Sequence, residues 1–162
     1  MRVEYLFSSN KKWGSKVIAW AASFEDTGLS ENPSHVAVLL DGEWVYESTF
    51  TSGVRIVPYE EWLKINDELY RIPCVVKSRD HVDVTAKAKS LWGRSYDWMG
   101  IAFFIWRYLG LIVLGRPLPR VNRWESKDKH FCTEFMAKLT GANYSMKSPA
   151  KVCAEFLKDK IE

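Results

Sequence analysis

Only three cysteines occur in the 162 residues, Cys74, Cys132 and Cys153, and no two of them stand at metal-type spacing. That excludes the paired-thiol patterns of zinc sites and the even cysteine sets of small disulfide-built domains. A sparse, odd set suits a reducing compartment. Histidine is equally scarce (His35, His81 and His130), and with no ligand spacing in view neither a metal nor an organic cofactor is expected. An excess of one charge is missing too. The 23 Lys and Arg interleave with 20 Asp and Glu for a net charge of +3, without the dense basic stripe that a nucleic-acid partner requires. The first residues, Met1-Arg2-Val3-Glu4-Tyr5, lack the apolar run of a signal peptide, so a cytoplasmic location as synthesised is expected. Nor is any apolar run long enough to span a bilayer. Residues 101–115, IAFFIWRYLGLIVLG, carry Arg107 and fall short of the ~20 residues needed. That run reads as a buried helix, as a surface helix in peripheral contact with lipid, or as one wall of an acyl-binding groove.

What is present is ordinary globular composition, 47% hydrophobic and 27% charged, with an unusual eight tryptophans. Rings of that size fill cores or line grooves. The length suits one domain over 1–162 with a single core. Hydrophobic periodicity and turn residues predict strands at 3–8, 34–40, 43–48, 53–57 and 68–76. They predict helices at 12–22, just after Pro58, at 80–92 ended by Gly93, in an aromatic stretch after Ser95 or Asp97, at 131–140 ended by Gly141, and at 149–160 started by Ser148-Pro149. Residues 110–129 read as a long loop.

Three residues carry candidate chemistry: His35 at the head of a strand, Glu47 on the next strand, and Cys132 opening a late helix. A thiol, an imidazole and a group to orient that imidazole are the parts of a cysteine nucleophile site. At a helix start the unpaired amides and the helix dipole favour a thiolate. Cys74, inside a strand, and Cys153, inside the last helix, lack that setting. His130, two residues before Cys132, is a rival base in sequence terms. The Asp41-Gly42 pair signals a hairpin. If Leu40-Asp41-Gly42 forms a three-residue loop closed by Leu39 and Glu43, His35 lies directly across from Glu47 on one face. A two-residue turn instead pairs His35 with Ser48 and points Glu47 away.

The order of these groups resembles the circularly permuted branch of the NlpC-type papain-fold hydrolases, which includes YiiX-like bacterial proteins and the lecithin:retinol acyltransferase relatives. Ser34-His35-Val36-Ala37-Val38 is similar to that family's histidine strand, and Trp44-Val45-Tyr46-Glu47-Ser48 to the strand bearing the third triad member. Gly93-Arg94-Ser95-Tyr96-Asp97 resembles its Gly-x-x-Tyr-Asp segment, and Phe131-Cys132-Thr133-Glu134-Phe135 its nucleophile helix start. Three features depart from the pattern, the first being Thr133 in place of the serine that usually follows the nucleophile, a change that keeps the hydroxyl. Val3-Glu4-Tyr5 lacks the usual Gly-Asp opening, and the Asn-Cys-Glu-His-Phe of the acyltransferases is absent.

The resemblance implies an α+β permuted papain-like fold, an antiparallel sheet packed against helices, with Cys132, His35 and Glu47 as catalytic triad. It implies amide hydrolysis in peptides, cell-wall peptides among them, and a wall substrate would require release by a route other than Sec. Two other readings stay open: thioesterase or acyltransferase chemistry on lipids, and a catalytically silent binding module that holds a peptide or acyl partner.

Overall fold

Val3–Ser9 (β1) is buried on both faces along nearly its whole length, as a strand is when it has a neighbour on each edge and layers above and below. The computed structural model describes residues 2–10, 12–74, 80–97, 99, 102, 106, 109–110, 113–115, 131–141 and 147–158, with the side chains of 80–83 left aside. Among them β1 pairs on one edge with His35–Leu40 (β2) and on the other with Asp67–Cys74 (β5). Trp44–Thr49 (β3) and Gly53–Pro58 (β4) extend the β2 side, giving one antiparallel five-stranded sheet ordered β4-β3-β2-β1-β5. Five helices accompany it: Trp13–Ala22 (α1), Tyr59–Leu63 (α2), Asp80–Leu91 (α3), Cys132–Thr140 (α4) and Pro149–Lys158 (α5). The chain is therefore α+β. Met99, Ala102, Trp106, Leu109, Val113 and Leu114 are also helical. No helix among the described residues is long and apolar enough to cross a membrane.

The strand period of two sorts the core into two layers. Val3, Tyr5 and Phe7 of β1 share a face with Val36, Val38 and Leu40 of β2, and α3, α4 and α5 cover it with Val84, Ala88, Phe135, Met136, Leu139 and Val152. The opposite face carries Leu6, Ala37, Leu39 and Val45 under Trp62 of α2. Each fully buried aliphatic or aromatic side chain contributes roughly 1.5–3 kcal/mol, so the thicker helical layer supplies most of the hydrophobic stabilisation.

The predicted elements are found within a residue or two wherever they can be compared, except at the start of the predicted 110–129 loop, where Gly110, Val113 and Leu114 are helical. Residues 75–76 of the fifth predicted strand, 159–160 of the last helix, and most of the 101–115 run and the 110–129 loop lie outside the described residues. The hairpin register also needs correction. Leu39 pairs with Val45 and not with Glu43. Asp41 and Gly42 both adopt positive φ, 52° and 77°, and the Glu43 amide donates to the Leu40 carbonyl at 3.1 Å, the pattern of a type I′ turn. The Glu43 carbonyl meanwhile accepts from the Tyr59 amide at 2.8 Å, at the start of α2. Glu43 is thereby drawn out of the β2–β3 ladder, and pairing opens at Leu40 and Trp44.

Candidate active site

The shift of register is even, so it changes which residues face each other without turning any side chain to the other face. Continued to the far end, it sets Ala37 across from Glu47 and His35 across from Thr49. His35 and Glu47 become diagonal neighbours, roughly 7–8 Å apart in such pairs and still within reach of long side chains. The reach is made: His35 Nε2 lies 2.8 Å from Glu47 Oε2. The direct cross-strand pair is corrected, and the His35–Glu47 contact stands.

The β2–β3 ladder itself ends at Val38 and Tyr46. Beyond that point β2 continues bonded only to β1, and β3 only to β4. The sheet thus forks at the end that bears His35 and Glu47. Helix α4 packs against both β2 and β3, and Cys132, its first residue, belongs to the main-core layer. His35 belongs by register to the opposite face. Cys132 nevertheless acts on the imidazole as a neighbour that favours its charged form, so the two approach each other across the plane of the sheet at its unpaired end.

Glu47 is the best-held group of the site. Its Oε1 accepts from Arg55 Nε at 2.7 Å and Nη2 at 2.6 Å, and its Oε2 accepts from Trp62 Nε1 at 2.9 Å besides meeting His35. Burial, which leaves its side chain 1% exposed, opposes the charge. The hydrogen bonds and charges of His35 and Arg55 outweigh it and pull the carboxyl down to about 2. For His35, 13% exposed, burial likewise opposes the charged form. Hydrogen bonds to Cys132 and Glu47, and the negative charge of both, raise it from 6.5 to about 10. Arg55 and Trp62 are not among the residues singled out in the sequence. Arg55 was accessible there as a partner across the 48–54 hairpin, since Glu47 pairs with Arg55 in the register. Trp62 had only its place in the short helix after Pro58 as a signal.

A strap at 93–97 reaches the same point. The Val54 amide donates to the Arg94 carbonyl at 2.9 Å, and the Gly93 amide to the Val54 carbonyl at 3.1 Å, which fastens the strap to β4. Gly53 permits this approach: a Cβ there would stand 2.1 Å from the Arg94 oxygen. Tyr96, buried and edge-on to Phe50 with ring centroids 6.0 Å apart, feels the charge of Cys132. Burial first, then Cys132, Asp97 and Glu134, raise its phenol, so it stays a neutral O–H donor.

At the helix start the Phe131 amide donates to Glu134 Oε2 at 3.4 Å, and Thr133 Oγ1 donates to the Lys147 carbonyl at 3.0 Å. The amides of the first turn have no helical carbonyl to bond, and that of Cys132 is among them. The other cysteines are differently placed. Cys153 is fully buried and its thiol is pushed up to about 12 by burial. Cys74 donates to the Tyr5 hydroxyl at 3.0 Å and is also raised by burial. His130 lies outside the described residues, as does the His81 side chain.

A cavity of about 480 Å³ opens beside the pair; His35, Glu47 and Arg55 line it together with the apolar side chains of Trp13, Val17, Ile18, Phe50 and Ile65. Cys132 is 2% exposed and is not among the residues that line it. No group of His, Cys, Asp or Glu among the described residues is arranged to hold a metal ion. Comparisons of this chain with family models, with curated proteins and with solved structures found no match.

Proposed function

We propose that the protein is a cysteine hydrolase of permuted papain-like type, with Cys132 as nucleophile, His35 as proton carrier and Glu47 as the group that orients His35. The observation that carries this reading is the chain of contacts from the Cys132 sulfur to the His35 ring to the Glu47 carboxylate, with the sulfur at a helix start. Because the imidazole holds its proton to about pH 10, His35 is an imidazolium at neutral pH, the kind of neighbour that activates a thiol as nucleophile. The sulfur attacks a carbonyl carbon and an S–C bond forms. The oxyanion is met by the Cys132 amide, with Tyr96 a neutral donor close by. The C–N bond then breaks as His35 gives its proton to the leaving amine, which leaves a thioacyl-enzyme. Neutral His35 next takes a proton from water as the water oxygen bonds to the acyl carbon; the S–C bond then breaks, the carboxylic acid departs, and the sulfur and the protonated His35 are regenerated. Glu47 exchanges no proton in this cycle.

Amide bonds in peptides are the leading substrate, including cell-wall peptides. A second reading, ester or thioester chemistry on lipids, is favoured by one observation: the apolar side chains of Trp13, Val17, Ile18, Phe50 and Ile65 that line the cavity together with His35. The test common to both is iodoacetamide alkylation of the folded protein between pH 4 and 9, with each cysteine quantified by peptide mass spectrometry. Cys132 is expected to label fast below pH 7 and to slow at least tenfold in His35→Ala, while Cys153 stays unlabelled. Slow labelling of Cys132 that rises only above about pH 8, as for an ordinary thiol, would overturn the proposal in favour of a binding module.

A further inference from the structure

Helix α1 is built the wrong way round for a surface helix facing water. A solvated helix sets charged residues on its outer face and apolar ones inward. Here the inward side is small, with Ser15, Ala21 and Ala22 buried, whereas the outward pole carries Trp13, 74% exposed, and Trp20. Phe24, just past the helix end, packs edge-on against Trp20 at 5.0 Å and prolongs the stripe. Positions 13, 20 and 24 fall on one side of a 3.6-residue period. The charges beside this stripe are Lys12 and Lys16, both exposed, and α1 itself contains no acid. Of the two acids that follow, Glu25 accepts from the Ser148 hydroxyl and Asp26 is exposed.

A second apolar stripe adjoins the first. Met99, Ala102, Trp106, Leu109 and Val113 are helical, exposed and spaced by three, four, three and four residues, the repeat of one helix face. Ala102 borders the same cavity as Trp13, Val17 and Ile18, so the two stripes meet at that cavity. Exposed apolar surface of this extent marks an interaction site.

We infer that this double stripe docks the protein on an anionic lipid bilayer, with the cavity opening toward the membrane. The observations favour a bilayer over another protein on chemistry. The anchors are indoles, whose amphipathic rings settle at headgroup level, and the neighbouring charges are lysines that complement anionic lipid. The apolar sequence at 101–115 falls short of the ~20 residues needed to cross a hydrocarbon core, which leaves lying on the bilayer as its mode of contact. This inference does not depend on the hydrolase reading, because it uses none of the catalytic residues.

The test is co-sedimentation of the full chain with vesicles of phosphatidylcholine alone or mixed with phosphatidylserine. Alongside it run Trp13→Ser/Trp20→Ser, Lys12→Glu/Lys16→Glu and Cys132→Ala. Strong binding to the mixed vesicles is expected, weaker by at least about tenfold on phosphatidylcholine alone and in the lysine variant, at roughly fivefold per lysine neutralised. It should be largely lost in the tryptophan variant and unchanged in Cys132→Ala. The substituted side chains are exposed, and far-ultraviolet circular dichroism checks that each variant is folded. Equal binding to both vesicle types overturns the inference, as does binding that survives the tryptophan changes. Absence of binding overturns it too, including the case where the same tryptophans prove to hold two copies of the chain together.

Discussion

At the scale of the residue, Glu47 separates two roles that a buried carboxylate can play. A catalytic acid or base needs an oxygen lone pair free to exchange a proton, but both Glu47 oxygens are engaged, Oε1 by two Arg55 nitrogens and Oε2 by Trp62 and His35. A carboxylate held in this way is a fixed negative charge. Its role is to set the orientation of the His35 ring and to stabilise its protonated form. Arg55 is the member of this shell that can be removed with the least damage to packing, since its side chain is 29% exposed. In Arg55→Met, Glu47 loses two hydrogen bonds and a positive neighbour, and its carboxyl should rise toward the ordinary range. Breaking one partner of a buried pair costs about 3–5 kcal/mol, and partial exposure places this case at the lower end. At about 2–4 °C per kcal/mol for a chain of this size, the melting temperature should fall by roughly 6–12 °C at pH 7. Arg55→Lys should recover only part of the loss, because a point charge cannot replace the two-nitrogen contact. A melting temperature within 2 °C or so of the parent would mean that His35 and Trp62 hold Glu47 without Arg55.

At the scale of the element, the site exists because two strands part. Had the β2–β3 ladder run to its end, backbone hydrogen bonds would have closed the sheet between His35 and the start of α4. The fork lets an imidazole on one face meet a thiol belonging to the other. The strap at 93–97 completes this arrangement from the β4 side, and it depends on Gly53. That residue has φ +64° in addition to its lack of space for a Cβ, so Gly53→Ala is strained twice over. Gly28 offers a control, with a similar φ of +67° and nothing within 4 Å of its would-be Cβ. Gly28→Ala should cost about 1–2 kcal/mol, the price of the left-handed conformation alone. Gly53→Ala should cost at least about 2 kcal/mol more by chemical denaturation, and it should slow Cys132 alkylation as Tyr96 is displaced. Equal costs for the two substitutions would show that the strap is not held at Gly53. These same elements mark what could be read in advance. Strand and helix positions follow from local periodicity and from Gly, Pro and Asp-Gly signals, and so does the sharing of a face by His35 and Glu47, which requires only the parity of the register. The register itself was not legible, because it turns on a hydrogen bond from Tyr59 to the Glu43 carbonyl that joins segments distant along the chain. The fork, the strap and the Trp62–Glu47 bond are likewise contacts between elements and leave no periodic trace. Nor could the outward stripe of α1 be foreseen: the helical period puts Trp13 and Trp20 on one side, and only the packing shows that side turned out.

For the whole molecule, the ion pair at the fork ties stability to pH on both sides of neutrality, and the signs follow from the two shifts. Glu47 is lowered from 4.5 to about 2. The folded state therefore binds this proton more weakly than the unfolded chain, and the stabilisation is complete above pH 4.5 and is lost as pH falls toward 2. His35 is raised from 6.5 to about 10. The folded state holds that proton more tightly, so its contribution is complete below pH 6.5 and is lost as pH rises toward 10. The two describe largely one interaction and are counted once, on the order of 3 kcal/mol. Unfolding free energies measured in urea from pH 3 to 10 should therefore show their plateau between about 4.5 and 6.5. Cys132→Ala distinguishes the two limbs. The sulfur is one of the groups that raise His35, whereas nothing about Cys132 enters the shift of Glu47. The alkaline limb should then finish at a lower pH in this variant while the acid limb keeps its place. If both limbs stay where they are in the parent, the Cys132 sulfur and the His35 ring do not form a pair in solution, and the charge at the fork belongs to His35, Glu47 and Arg55 alone.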